Sequence, residues 1–197
     1  MSMRWNIHYR KILVMVFSIF FIISTSKIAY ASNASNEAIQ AYYTCMQRGN
    51  LKSDSKSYEY DYFLLDMNND GIKELIAQNL HNDVWICTYK NRKVIVLMHE
   101  KFISQVRISR SSNKKNIMID YSTGSGLAEN DIFHYNGKKL TRKTYTFGYS
   151  SEQKYMYGQP DLFYCNQRKI SKKKYEKAVT SYKQANMKKL IPTLFSE

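Results

Sequence analysis

Proline and glycine are scarce in this chain, two and seven of 197 residues. No Pro- or Gly-rich linker separates parts of it, and no segment recurs at a fixed period, which argues against strings of domains and repeat arrays. Cysteine is scarcer than a disulfide scaffold needs. Cys45, Cys87 and Cys165 are an odd number, so at least one thiol stays free. Their spacing is far too wide for a C-x-x-C redox or metal site. Cys87 and Cys165 lie in apolar, strand-like stretches, where a lone cysteine packs as a small hydrophobe. Beyond residue 31 the histidines are His81, His99 and His134, with no H-x-H or H-E-x-x-H spacing to nucleate a zinc site. Gly124-Ser125-Gly126 is not the G-x-S-x-G elbow of a serine hydrolase, and no nucleic-acid-binding signature occurs.

Long apolar runs are also missing. The longest, Ile12 to Ser24, has 13 residues, short of the roughly 20 that span a bilayer, and Lys27 cuts it off. What the run does fit is an export signal. Arg4, Arg10 and Lys11 give a positive start, the apolar stretch follows, and Ala29-Tyr30-Ala31 puts small residues where a signal peptidase inspects them. Residues 1–31 are therefore read as a cleaved signal peptide with the cut before Ser32, and no membrane span remains afterwards. Residues 32–197 are long enough for one domain with a real core.

Acidic residues are outnumbered, 16 against 30 Lys and Arg, for a formal charge of +14. Without the first 31 residues, which hold Arg4, Arg10, Lys11, Lys27 and no acid, the charge is +10. Such a surface attracts anionic wall polymers or acidic glycans.

The patterning predicts an α+β domain: an antiparallel sheet or meander flanked by an N-terminal and a C-terminal helix. Ala38, Ile39, Tyr42, Cys45 and Met46 recur at helical spacing, giving a helix over about 36–48 with Gly49 as its stop. Strand signals run from about 58 to 166. They include β-branched or aromatic runs around Lys90-Asn91-Arg92-Lys93 and a hairpin at Asn136-Gly137, where both residues tolerate positive φ. Tyr175, Ala178, Val179, Tyr182, Ala185 and Leu190 form an apolar stripe that predicts a second, lysine-rich helix over about 171–190.

One segment carries chemistry. In Asp66-Met67-Asn68-Asn69-Asp70-Gly71-Ile72-Lys73-Glu74, side-chain oxygens alternate along the chain before a glycine. A hard cation such as Ca²⁺ wants six to eight oxygens arranged around it. Asp66, Asn68 and Asp70 would supply side-chain oxygens, Ile72 its carbonyl, and Glu74 would close the ring. The three acids crowd together in an otherwise basic chain. The same letters also build an Asx-type turn that binds nothing. An EF-hand is excluded, because the twelfth loop position is Ala77 and the flanks favour strands. The loop resembles the calcium-binding hairpin loops of FG-GAP and VCBS-type repeats, pattern D-x-[ND]-x-D-G-x-x-[DE]. The longer stretch from Tyr60 to Ile76, YDYFLLDMNNDGIKELI, is similar to an element of uncharacterised secreted proteins of clostridial-type Gram-positive bacteria. That resemblance implies no catalytic activity. A single loop of this kind also cannot build a propeller, which takes at least four blades.

The resulting expectation is a secreted, non-enzymatic domain with a calcium-stabilised hairpin, acting at or near the cell envelope and binding polyanions or glycans. The alternative is an envelope-polymer hydrolase whose active site the sequence does not mark.

Overall fold

The computed structural model describes residues 33–51, 59–101, 103–111, 113, 115–122, 128–149, 151, 155–156, 158 and 160–190. The expected export signal and its cut lie outside these residues, as does Ser125. Helix α1 (33–47) opens the described chain, close to its predicted span. The first sheet follows as a meander: β1 (Tyr60–Leu65), β2 (Glu74–Asn79), β3 (Val84–Lys90) and β4 (Lys93–Glu100). The chain then crosses to a second meander. Its strands are β5 (Ile103–Ser109), β6 (Ile117–Ser122), β7 (Ala128–Tyr135), β8 (Leu140–Gly148), β9 (Leu162–Cys165) and β10 (Arg168–Lys169). Helix α2 (Lys172–Val179) comes next, and β11 (Tyr182–Gln184) and β12 (Lys188–Leu190) end the fold. All strand pairs are antiparallel. The strand orders are β12-β1-β2-β3-β4 and β10-β9-β8-β7-β6-β5-β11. The α+β class holds, with two antiparallel sheets in place of the single sheet expected.

Side chains alternate across a strand, so each sheet offers two faces, and here both are used. Tyr60, Tyr62, Leu75, Trp85 and Cys87 face α1 and bury Ala38, Tyr42 and Met46, which lie four residues apart on one side of that helix. Ile76, Val84 and Ile86 point the other way and meet Ile117, Ile119 and Phe133 between the sheets. On the far side of the second sheet, Tyr145 and Phe163 pack on Tyr175 of α2. The fold is thus four layers: helix, sheet, sheet, helix. Fully burying side chains the size of Tyr42 or Met46 stabilises by about 1.5–3 kcal/mol each, which holds α1 on its sheet. No helix among the described residues is long and apolar enough to cross a membrane.

The predicted C-terminal helix over 171–190 is corrected. It starts as expected, with the Ser171 hydroxyl accepting from the Lys174 N–H at 3.3 Å, but it ends at Val179. The Thr180 and Ser181 hydroxyls donate to the Glu176 and Ala178 carbonyls at 2.7 and 2.6 Å, a local alternative to another helical turn. Arg110 captures the Thr180 and Tyr182 carbonyls, both at 3.2 Å. The remainder pairs with strands that would otherwise be bare edges, β11 on β5 and β12 on β1. Lys172, Lys173, Lys174 and Lys177 stay on the helix, whereas Lys183, Lys188 and Lys189 belong to strands.

Cys87 is buried in the cluster beneath α1, and Cys45 and Cys165 are half-buried; all three are free thiols. Burial pushes the Cys87 thiol well above its usual range.

Candidate functional site

The Asp66–Glu74 segment is the connection between β1 and β2, closed by the Leu65–Glu74 pair. The chain turns there through left-handed backbone at Asn69 (φ +60°) and Gly71 (φ +87°), the first an Asn that tolerates it and the second a glycine without steric penalty. Short side chains hold the turn. Asn68 Oδ1 accepts from the Asp70 N–H at 3.1 Å, Asp70 Oδ1 from the Ile72 N–H at 2.8 Å, and Asp70 Oδ2 from Asn68 Nδ2 at 2.8 Å. Asp66 Oδ2 accepts from the Gly71 N–H at 3.2 Å and lies 3.6 Å from Lys115 Nζ.

Asp66 Oδ1, by contrast, is enclosed and has no hydrogen-bond partner among the described residues. A buried carboxylate oxygen without a donor carries a desolvation penalty of about 1–3 kcal/mol or more. The oxygens of Asn68 and Asp70 each keep a lone pair. This donor set, carboxylate and amide oxygens with one oxygen left over, suits a hard cation.

Glu74 plays a part that the spacing did not foretell. Its side chain is fully buried at the start of β2. Oε2 accepts from the Met67 N–H at 2.8 Å, and Oε1 accepts from the Thr88 hydroxyl at 3.1 Å. Burial pushes this carboxyl up to about 7, and the Asp70 charge adds to the effect against the opposing hydrogen bonds. Glu74 is therefore the floor of the loop first, and any further bond it makes uses its remaining lone pairs. The Tyr42 hydroxyl of α1 is buried near it, with no hydrogen-bond partner among the described residues. Burial, then the Glu74 charge, raises that phenol.

The roof comes from the other sheet. The β7–β8 turn is a four-residue Asn136–Lys139 loop rather than a two-residue one. Asn136 Oδ1 accepts from the Lys138 and Lys139 N–H groups at 3.0 and 2.8 Å, and only Gly137 takes positive φ, +83°. A Cβ on Gly137 would stand 3.0 Å from Asn68 Nδ2. Beside the loop opens a cleft of about 490 Å³ whose lining includes Asp70, Ile72, Lys90, Arg92 and Gly137. Asn91 and Arg92 form the tight β3–β4 turn, both in left-handed backbone.

A second polar group was not legible as a site. Arg142 of β8 donates to Glu100 Oε1 at 3.2 Å and to Glu129 Oε1 at 3.0 Å, and it pairs with Asp131 Oδ2. Its guanidinium lies over the Tyr121 and Phe133 rings, 5.9 Å from each centroid. Asp131 is fully buried, next to the Tyr121 phenol that burial and the neighbouring carboxylates push up. Read singly, these acids look scattered. The signal was the two-residue alternation carried back from Tyr135 and Phe133, which puts Asp131 and Glu129 on the same face. The hairpin register then sets Arg142 opposite Phe133.

The histidines stay apart from both places. His99 stacks on Trp85 with centroids 4.6 Å apart, and His134 Nδ1 lies 2.9 Å from Asn116 Oδ1. Comparison with protein-family models, curated proteins and solved structures finds no match to this chain.

Proposed function

We propose that this chain is an exported, non-enzymatic binding domain of the cell envelope whose β1–β2 loop is pinned by one Ca²⁺. Asp66, Asn68 and Asp70 would hold the ion with the Ile72 carbonyl, and Glu74 would brace them from below and complete the set. The observation that carries this reading is the enclosed Asp66 Oδ1, which no donor among the described residues reaches while its sister oxygen is held by Gly71 and Lys115. The resemblance to FG-GAP and VCBS-type loops supports the same ion. The charge left after cleavage before Ser32, +10, and the lysines of α2 support contact with anionic envelope polymers. Isothermal titration of calcium into the chelator-treated protein tests the ion. One site with a dissociation constant of about 10⁻⁴ to 10⁻³ M is expected, lost in Asp70→Ala. No heat at millimolar calcium would refute it.

A further inference from the structure

We infer that β4 is a docking edge, and that its partner is a second copy of this chain laid antiparallel against it. The two sheets have four edges among the described residues. Three are closed by short strands that carry cations: β12, three residues with Lys188 and Lys189; β10, the pair Arg168 and Lys169; and β11, three residues with Lys183. Short, charged edges are how soluble sheets avoid gaining strands. β4 is the exception. It runs for eight residues, and its middle, Val94-Ile95-Val96-Leu97-Met98, has neither charge nor proline. Among the described residues it is bonded to β3 alone, so the N–H and C=O groups along its outer side face no strand.

The side chains are short of cover on both faces. Val84 to Thr88 of β3 are buried, whereas no residue of β4 is. Ile95 and Val96 are 41 % and 47 % exposed. They stand opposite Thr88 and Cys87 of β3, and so on opposite faces of the sheet. A layer laid over one face would cover only one of them. A strand added at the edge covers both, because its own side chains flank them above and below.

Self-complementarity picks the copy. A two-fold axis through the Ile95–Val96 region sets the apolar run against itself and keeps the inner faces of both copies on one side, so the two first sheets join into one. The ends differ in charge. The turn end carries Lys90, Arg92 and Lys93, and the far end carries Glu100, which also holds Arg142. A parallel copy would stack the two basic turns. Antiparallel pairing sends them to opposite ends, each toward the other copy's Glu100. A bulge at Leu97 bends the far half of the strand, leaving Lys93 to Val96 as the regular stretch on which pairing starts.

Sedimentation velocity of the purified full chain over a concentration series is the test. Ile95→Lys and Val96→Lys place a charge on the edge. Leu80→Lys, at a side chain 68 % exposed in the β2–β3 turn, controls for added charge alone. Circular dichroism confirms folding, and either folded edge variant carries the test. The expected result is a reversible monomer–dimer equilibrium with a micromolar dissociation constant. It weakens about tenfold or more in each edge variant, holds in Leu80→Lys, and does not respond to chelator. A chain that stays monomeric at every concentration overturns the inference. So does a dimer that both edge variants retain, or one that Leu80→Lys dissolves as readily. Growth beyond the dimer would overturn the two-fold pairing, and loss of the dimer with chelator would move the contact to the calcium loop.

Discussion

Replacing Gly137 by alanine probes the seam between the two sheets at the candidate metal loop. The residue sits at φ +83°, and its Cβ would approach Asn68 Nδ2 to 3.0 Å. Left-handed backbone with a Cβ costs about 1–2 kcal/mol. The smaller unfolded-state entropy of alanine offsets part of that, by about 0.4–1 kcal/mol. The contact adds to the loss, because relieving it means moving Asn68 by a few tenths of an ångström, against its bonds to Asp70. A net destabilisation of about 1–2 kcal/mol is expected, equivalent to a fall in Tm of roughly 2–8 °C for a chain of this size. Urea or thermal denaturation measures it. A double-mutant cycle with Asn68→Ala separates the two parts, since only the contact is relieved when the amide is gone. A coupling energy of about 0.5 kcal/mol or more is expected. If Gly137→Ala leaves stability within about 0.3 kcal/mol, or the cycle closes without coupling, the turn does not press on the loop and the roof is misassigned.

Three further outcomes follow from the same geometry and sequence. In calcium-free buffer Glu74 favours its neutral form in the fold: its carboxyl is raised from 4.5 to about 7. The stability this contributes is therefore full below about pH 4.5 and declines as pH rises to about 7, by about 3 kcal/mol. Glu74→Gln should flatten that profile in denaturation curves taken across pH, and an unchanged slope would refute the assignment. Cys87 should react with a thiol reagent only after denaturation, as its burial and raised thiol pKa require, and prompt labelling of the native protein would contradict it. N-terminal sequencing of the secreted product should begin at Ser32, and an intact Met1 on membrane-bound material would sink the export reading.

The strands with clean alternation were legible because one local rule governs them. Tyr60 and Tyr62 face one way and Phe63 and Leu65 fall on the other core, as the letters require. β5 falls inside the strand-rich span but has no clean alternation of its own, because a register shift between Ile103 and Gln105 puts Val106 and Ile108 out of step with Ile103. Tyr182, Ala185 and Leu190 continue the stripe of α2 in sequence, but in space they close sheet edges, and edge pairing is not a local property. Two sheets rather than one likewise depend on where the chain crosses after Glu100. The loop residues Asp66 to Glu74 were found as a motif because all but the roof come from nine consecutive positions. The Arg142 cluster gathers residues from β4, β6, β7 and β8, and only the assembled sandwich brings Glu100 to Glu129 and Asp131.

The central claim, a cation pinning the β1–β2 loop, is tested most directly by melting the chelator-treated protein with and without added calcium. A ligand that binds only the folded chain stabilises it by about 2.7 kcal/mol at 100 times its dissociation constant. Tm should climb with calcium, climb less with magnesium, whose octahedral demands are stricter, and fall back with chelator, while Asp70→Ala folds but no longer responds. A Tm that neither calcium nor chelator moves would contradict the account and leave the loop an ordinary Asx turn.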